Sequence, residues 1–201
     1  MLKAHNLSFR YAAKDPWIFR DLTLGIAAGE MVGLPGPSGR GKSTLARVLC
    51  GYLRSCTGQV LVNGEEPGAG YHPAQLLFQH PELAVNPRFT ARQIMEEAWT
   101  PDPDLLDALR IRTQWLNRFP HELSGGELQR ICVARALDPR SRFLVADEMT
   151  SMLDAITQAQ IWRVITDHVQ TRGLGVYVIS HDPHLLDRLC SRQDSFFLDA
   201  T

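Results

Sequence analysis

The sequence has little that would tie the protein to a membrane or to nucleic acid. Its 201 residues include 21 lysines and arginines and 22 aspartates and glutamates, so the formal net charge is −1. Like charges form no block that would indicate a nucleic-acid-binding arm or a polybasic membrane anchor. No apolar run approaches the ~18 residues of a transmembrane helix, and the N-terminal MLKAHNLSFRY has no apolar leader segment. We therefore expect neither a leader nor a membrane span, and no nucleic-acid partner.

Cysteine is scarce and shows no pairing pattern. The four cysteines, Cys50, Cys56, Cys132 and Cys190, form no C-x-x-C pair, the spacing typical of redox and zinc sites. Hydrophobic residues make up 44% of the chain and charged residues 21%, as in an ordinary globular protein. The sequence predicts reduced, mostly buried thiols in a cytoplasmic protein with one domain, residues 1–201.

Short apolar runs alternate with amphipathic segments along the chain. This order predicts an α/β fold, with a parallel sheet and helices on both of its faces. The predicted strands cover residues 5–11, 18–26, 30–34, 58–65, 75–79, 142–148, 175–180 and 195–199. The predicted helices cover residues 42–50, 124–137, 154–171 and 183–190. From 80 to 122 the pattern changes to helical pieces separated by prolines, which indicates a separate helical subdomain.

Residues 33–44 read GLPGPSGRGKST and lie between a predicted strand and a predicted helix. They match the G-x-x-x-x-G-K-[ST] pattern, in which backbone N–H groups and a helix N-terminus cradle phosphates. Pro35 and Pro37 have no N–H to donate, but they lie in the first half of the loop, before the part that is expected to face the phosphates. The predicted nucleotide contacts are Gly36, Pro37, Ser38, Gly39, Arg40, Gly41, Lys42, Ser43 and Thr44.

Two side chains of this loop have predicted roles of their own. Lys42 is expected to reach the β- and γ-phosphates, and to point to solvent when the loop is empty. Ser43 is expected to bind Mg²⁺ through its hydroxyl group. The alternative, a glycine-rich turn without a ligand, rarely arises by chance from this pattern between a strand and a helix.

The stretch FLVADE at 143–148 predicts a buried strand that ends in two carboxylates. Open α/β sheets bind their ligands at the carboxyl ends of the strands. Asp147 is therefore expected to hold the Mg²⁺ shell, and Glu148 to polarise a water molecule as a general base for hydrolysis. Taken alone, the two acids would fit a strand end that faces solvent. Together with the phosphate loop they predict a nucleotide-hydrolysing site.

The stretch LSGGELQR at 123–130 predicts a second helix start suited to an anion. Locally it predicts an N-cap serine with Glu127 at the reciprocal capping position. It resembles the signature motif of ABC-type ATPases, LSGGQ, with Glu127 where glutamine is commoner. The resemblance implies that Ser124, Gly125 and Gly126 of one chain close over the nucleotide held by Lys42 of another.

Further positions match ABC-type motifs in the order of that family. Tyr11, with Trp17 as a rival, resembles the aromatic residue that stacks on adenine. Gln79 in LLFQHP resembles the glutamine that touches Mg²⁺ and relays the nucleotide state to a membrane partner. Asp154 in SMLD resembles the aspartate that faces the partner chain, and His181 after VYVIS resembles the switch histidine at the γ-phosphate.

The resemblance covers essentially the whole chain and implies its fold. The expected fold is that of a P-loop NTPase of the ABC type, an α/β domain with a mixed sheet core. An N-terminal antiparallel β subdomain precedes the core strands. A short helical subdomain, at about residues 80–135, carries the signature motif.

Three strings resemble the ATP-binding subunits of peptide and nickel importers. They are RFPHELSGGELQR at 118–130, NPRFT at 86–90 and TSMLDAITQAQIW at 150–162. The chain departs from that subfamily at Met149, where proline is usual, and at Met152, where alanine is usual. These departures leave every predicted catalytic position in place.

The resemblance implies an enzyme that hydrolyses ATP with Mg²⁺ and energises the import of a peptide, nickel or a related small solute. The implied partners are membrane permease subunits, a solute-binding protein and a second ATPase subunit, in a homodimer or in a heterodimer with a sister chain. The implied location is the cytoplasmic face of the inner membrane. Two alternatives remain: an accessory ATPase of a soluble or non-transport complex, and a nucleotide-binding module without turnover. Lys42, Glu148 and His181 argue against the second.

Overall fold

Strands and helices alternate along residues 1–198, the part of the chain that this computed structural model describes. The strands are β1 Leu2–Phe9, β2 Phe19–Ile26, β3 Met31–Leu34, β4 Thr57–Val62, β5 Ala74–Leu77, β6 Phe143–Asp147, β7 Gly175–Ile179 and β8 Arg192–Gln193. The α-helices are α1 Lys42–Leu49, α2 Ala91–Glu96, α3 Pro103–Ala108, α4 Gly125–Ala136, α5 Ala155–Arg172 and α6 Pro183–Leu189. Short 3₁₀ turns lie at Pro81–Ala84, Thr113–Trp115 and Pro120–Glu122.

The strands form two sheets with different pairing. One sheet is antiparallel, with the order β2-β1-β4, and Leu2 is opposite Ile26 on one side and Val62 on the other. The other sheet has the order β5-β6-β7-β3-β8, and its strand pairs are parallel. The predicted α/β fold with an N-terminal antiparallel part is confirmed. The expected mixed core would combine antiparallel and parallel pairs. The antiparallel pairs lie in the three-stranded sheet and the parallel pairs in the five-stranded sheet.

Both faces of the parallel sheet are covered by apolar side chains. All five residues of β6 and all five of β7 are buried, as expected for parallel strands with helices on both faces. Along β6, Phe143 and Val145 pack with α1 and the antiparallel sheet. Leu144 and Ala146 point the other way and pack with α4 and α5. Since β3, β6 and β7 are held from both sides, their carboxyl ends are fixed relative to one another.

The helices between β5 and α4 are short and are fixed by capping. Thr90 and Gln93 form a reciprocal capping box at the start of α2. Asp102 caps α3, because its Oδ1 accepts a hydrogen bond of 2.7 Å from the Leu105 N–H. The Trp99 Nε1–H donates to the Ala134 carbonyl of α4 at 3.0 Å. The segment is therefore anchored on α4, and its standing as a separate subdomain stays a prediction.

The strand predicted at 195–199 is wrong. Residues 195–198 form a turn, in which the Leu198 N–H donates to the Ser195 carbonyl at 2.8 Å; residue 199 lies outside the described residues. The strand lies earlier, at Arg192–Gln193, where it pairs with β3. Pairing stops soon after, with the hydrogen bond from the Asp194 N–H to the Gly33 carbonyl, because β3 itself ends at Leu34 and gives way to the glycine-rich loop.

The cysteines are free thiols, as predicted, and Cys50 and Cys132 are buried. Burial raises the pKa of Cys132 to about 11 and that of Cys190 to about 12, which keeps these thiols protonated and unreactive. Among residues 1–198, no helix has both the length and the apolar character needed to span a bilayer.

Candidate active site

The glycine-rich loop connects the end of β3 to the start of α1. Gly36, Gly39 and Gly41 have φ angles of 143°, 79° and 96°, which a residue with a Cβ rarely adopts. Gly41 is the N-cap of α1 and offers no side chain to the first backbone N–H groups of the helix. Those N–H groups and the positive end of the helix dipole suit an anion such as a phosphate.

Lys42 does not point to solvent, and the expectation that it would is wrong. Its side chain folds back into the loop, and only 5% of the residue is exposed. The Nζ donates hydrogen bonds to the Gly36 carbonyl at 2.6 Å and to the Pro37 carbonyl at 2.7 Å. Burial lowers the pKa of Lys42, and the charges of Glu148 and Asp147 oppose that shift. The ammonium group is thus held at the loop by these two carbonyls.

Asp147 ends β6 next to the hydroxyl group of Ser43. Burial raises the pKa of Asp147, and a hydrogen bond with the Ser43 side chain opposes this shift. A hydroxyl and a carboxylate are oxygen ligands of the kind that Mg²⁺ takes, together with water and phosphate oxygens. Two of the three predicted metal ligands, Ser43 and Asp147, thus lie side by side and fit Mg²⁺; the contact of the third, Gln79, with Mg²⁺ stays a prediction.

Glu148 follows β6 and faces His181, which lies two residues beyond β7. The Glu148 Oε2 is 3.3 Å from the His181 Nδ1, and the side chains are 13% and 60% exposed, respectively. Glu148 has a left-handed backbone, with φ 48°, uncommon for a residue with a side chain. Its N–H donates to the Ile179 carbonyl of β7 at 3.0 Å. Both side chains line a cavity of about 120 Å³, where a carboxylate next to an imidazole suits proton transfer.

Gln79 is linked to the segment that follows Glu148. Its Nε2 donates to the Ser151 Oγ at 3.3 Å. The neighbouring Thr150 is buried, and its Oγ1 accepts hydrogen bonds from the side chains of Gln158 and Trp162, both at 3.1 Å. The sequence analysis assigned no role to Thr150 or Ser151, although they lie only two and three residues after Glu148.

Tyr11 contacts the helix that follows the glycine-rich loop. Its hydroxyl lies 3.0 Å from the Thr44 Oγ1, and its ring meets Phe9 edge-on at 5.1 Å. The rival, Trp17, has the Arg10 guanidinium over its ring at 4.4 Å. A cation over the ring competes with a stacked base. The contacts therefore favour Tyr11 over Trp17 as the residue that stacks on adenine.

Ser124 caps α4 as its local sequence predicts. The Glu127 N–H donates to the Ser124 Oγ at 3.3 Å, and the Ser124 N–H donates to the Glu127 Oε2 at 2.8 Å. A Cβ added at Gly125 would meet no atom within 4 Å, so a ligand can approach the backbone of this helix start closely. The action of Ser124, Gly125 and Gly126 on a nucleotide of a second chain stays a prediction.

Asp154 is the N-cap of α5. Its Oδ1 accepts hydrogen bonds from the Ile156 and Thr157 N–H groups, both at 3.0 Å. These hydrogen bonds, that of Thr157 first, lower the pKa of Asp154. The carboxylate is thus tied to its own helix, and its predicted contact with a partner chain stays a prediction.

Arg130 lies on α4, the helix that follows the signature motif, and contacts both α5 and the helical segment before α4. The sequence analysis did not select it. It is buried, and its guanidinium donates to the Leu109 carbonyl at 2.7 Å and to the Gln160 Oε1 at 2.8 Å. It therefore links α4 to α5 and to the helical segment. The position of an arginine among the apolar residues of α4 could have indicated this role, because a buried charge needs hydrogen-bond partners in the interior.

Known proteins match most of the chain. A family model described as ABC transporter matches residues 19–151. The probable peptide ABC transporter ATP-binding protein y4tS of Sinorhizobium fredii is 32% identical over 227 aligned positions, which cover 98% of this chain and 64% of that protein. The nickel import ATP-binding protein NikE of Escherichia coli is 34% identical over 219 positions, which cover 96% of this chain and 82% of that protein.

Solved structures share the fold. A dimeric structure of MJ0796, described as a bacterial ABC transporter cassette, has a TM-score of 0.81 at 23% identity and covers 96% of this chain and 93% of that chain. A second MJ0796 structure, described as a dimeric post-hydrolysis state bound to ADP and Pi, has a TM-score of 0.80 at 23% identity, with the same coverage of both chains. At this identity the likeness shows the fold alone.

Proposed function

The chain belongs to the ABC transporter ATP-binding family, and on this premise we propose that it hydrolyses ATP to drive solute import through a membrane permease. The proposal is supported by the elements that converge on one edge of the parallel sheet. The phosphate loop follows β3, the two acids end β6, and His181 follows β7. Because β6, β7 and β3 are neighbours in the sheet, these groups lie around one ligand position.

The contact between Glu148 and His181 carries the enzymatic part of this proposal. Lys42 and the N–H groups at the start of α1 bind the β- and γ-phosphates, while Ser43 and Asp147 hold Mg²⁺, which neutralises phosphate charge when it is bound. Glu148 takes a proton from the attacking water. His181 orients that carboxylate and contacts the γ-phosphate. A module that only bound nucleotide would not need an oriented base.

The proposed solute is a peptide, nickel or a related small solute. The support comes from relatives, one a probable peptide ABC transporter ATP-binding protein and the other a nickel import ATP-binding protein. The proposed assembly is a pair of ATPase chains on the cytoplasmic face of the inner membrane, bound to permease subunits and served by a solute-binding protein. One of the solved neighbours is described as part of an ABC transporter complex, cbiONQ.

Replacing the base tests the enzymatic proposal. Glu148→Gln keeps the shape of the side chain but removes the negative charge, so we expect ATP hydrolysis to slow ~10²–10⁴-fold, with ATP affinity nearly unchanged. Phosphate release and titration calorimetry measure the two effects. Glu65→Gln, at an exposed position in the turn that follows β4, is the matched control. A Glu148→Gln protein that hydrolyses ATP at the wild-type rate would exclude Glu148 as the base.

A further inference from the structure

The chain that follows β8 runs behind the glycine-rich loop. β8 lies beside β3, the strand that leads into the loop, with Val32 opposite Arg192 and Gly33 opposite Gln193. The turn over residues 195–198 then places Phe197 against the loop. Phe197 is 2% exposed and packs in the core shared by α1 and the two sheets.

Phe197 lies against both glycines that define the ends of the loop motif. A Cβ added at Gly36 would lie 3.1 Å from the Phe197 Cβ and 3.5 Å from its carbonyl oxygen. A Cβ added at Gly41 would lie 3.7 Å from the Phe197 Cε1 and 2.3 Å from the Ile18 Cγ2. One side chain, with Ile18 beside it, therefore forms the wall on which the loop rests.

The position of Phe197 is set by the sheet and not by the loop. The Tyr177 hydroxyl, on a fully buried ring of β7, donates to the Asp194 Oδ2 at 2.7 Å. The Arg192 Nε donates to the Glu30 Oε1 at 2.8 Å, and the Arg192 guanidinium also pairs with Asp194. These contacts fix the segment three residues before Phe197, independently of what the loop binds.

We infer that Phe197 is a positioning residue of the phosphate loop. The loop turns at three glycines with positive φ angles, and glycine loses more conformational freedom on ordering than other residues. A fixed apolar wall behind Gly36 and Gly41 removes alternative loop conformations before ATP binds, and so keeps the N–H groups aimed at the phosphates. This inference rests on the proposed function.

Truncation of Phe197 tests the inference. With one hydrogen bond to a charged phosphate lost or misaligned, Phe197→Ala is expected to weaken ATP·Mg²⁺ binding about tenfold or more. For Phe197→Ala, the KM for ATP is expected to rise more than kcat falls. The proposed hydrolytic residues Glu148 and His181 follow β6 and β7, whereas Phe197 lies against the loop that follows β3. Phe197→Leu keeps apolar bulk against Gly36 and recovers part of the affinity. Calorimetric titration of the full chain with ATP·Mg²⁺ gives the affinities.

Two controls separate positioning from stability. Phe196→Ala removes a 39% exposed ring that meets the Phe197 ring edge-on at 5.1 Å but leaves Phe197 against the loop. It is expected to bind ATP within about twofold of wild type. Leu24→Ala truncates the same core on β2, away from the loop. It lowers the unfolding temperature, as Phe197→Ala does, but leaves ATP affinity unchanged below that temperature.

The outcomes distinguish this inference from the proposed function. Wild type that does not bind ATP would overturn both. Wild type that binds ATP, with unchanged affinity in Phe197→Ala and Phe197→Leu, would overturn the inference alone. If Phe197→Ala does not fold, Phe197→Leu decides: an affinity equal to that of wild type counts against the inference, and a loss at an intact unfolding temperature supports it.

Discussion

At the scale of single residues, charges of both signs lie close together where the phosphate loop meets the sheet. Lys42 and Asp147 are buried, and Glu148 is mostly buried. Burial lowers the pKa of Lys42 and raises that of Asp147, and in each case the charge of the other residue opposes the shift. Such an arrangement costs folding free energy and is typical of functional sites, where activity and stability conflict.

Removing the charge of Asp147 is therefore expected to stabilise the nucleotide-free protein. At neutral pH, Asp147→Asn raises the free energy of unfolding by about 1 kcal/mol and Tm by roughly 3 °C. The pKa of Asp147 is raised in the folded state, first by burial, so the folded protein binds this proton more tightly than the unfolded chain does. The cost of the buried carboxylate is present above the raised pKa and is relieved as the pH falls through it.

Thermal unfolding at pH 7 and at a series of lower pH values measures this effect. The gain in Tm of Asp147→Asn over wild type is expected to shrink as the pH falls through the raised pKa of Asp147, because the wild-type carboxylate then takes up a proton. Asp107→Asn, at an exposed position, is the control. A lower Tm for Asp147→Asn at pH 7 would contradict the prediction, as would a gain that does not depend on pH.

The sequence predicted which strands lead to the candidate site, but not how its side chains are oriented. Lys42 and Glu148 were selected from local motifs and His181 from its resemblance to the family's switch histidine, and all three follow strands of one parallel sheet; their roles stay predictions. The Gly36 and Pro37 carbonyls turn inward and accept hydrogen bonds from Lys42. This orientation depends on backbone dihedral angles that glycine and proline permit but do not dictate. For that reason the expectation of a solvent-facing lysine failed.

At the scale of elements, the order of strands and helices was predictable and the sheet edges were not. Buried runs such as FLVAD and GVYVI have the apolar character of parallel strands. The final strand was misplaced, because within the apolar run at 195–198 it is Phe197 alone that is buried behind the loop, whereas the polar Arg192–Gln193 pairs with β3. At a sheet edge, hydrogen-bond pairing depends on where the neighbouring strand ends, which the local sequence does not show.

We expect the turn Pro81–Ala84 to face a partner. The Arg135 guanidinium of α4 donates to the Ala84 carbonyl at 2.9 Å, and the Cys132 Sγ of α4 lies 3.9 Å from the Pro81 carbonyl. Leu83 is nevertheless 72% exposed. A rigid turn with an exposed leucine, directly after Gln79, fits a contact surface for the permease.

Cross-linking tests this surface. Leu83→Cys, in a chain whose exposed Cys56 is replaced by serine, is expected to cross-link to a co-expressed permease through a short bifunctional reagent. The matched control, Glu65→Cys, is exposed in the turn that follows β4 and is expected to give at most background product. Equal yields from the two positions would count against the turn as the docking element.

At the scale of the whole molecule, two helix starts that suit an anion predict action in pairs. The start of α1 is proposed to bind the phosphates together with Lys42. The start of α4, with Ser124 as its cap, offers a second set of N–H groups. We expect a working site to combine Lys42 of one chain with Ser124 of another.

Mixing two inactive variants tests the paired site. Ser124→Arg chains mixed with Lys42→Ala chains form one intact composite site out of two, so ATPase activity is expected to return in the mixture. As a control, Ser124→Arg chains mixed with chains that carry both substitutions form no intact site and stay inactive. A mixture no more active than the single variants would contradict action across chains.

The division of the strands into two sheets gives a bound nucleotide a mechanical role. Tyr11 follows the first strand of the antiparallel sheet, while the phosphate loop follows a strand of the parallel sheet. Apolar packing holds the two sheets together on this side, and the contact between Tyr11 and Thr44 joins the end of β1 to α1. ATP bound by its base at Tyr11 and by its phosphates at the loop would contact both parts of the fold and so restrict the movement of one sheet relative to the other. ATP binding would then stiffen the contact between the two sheets, and product release would loosen it in each turnover.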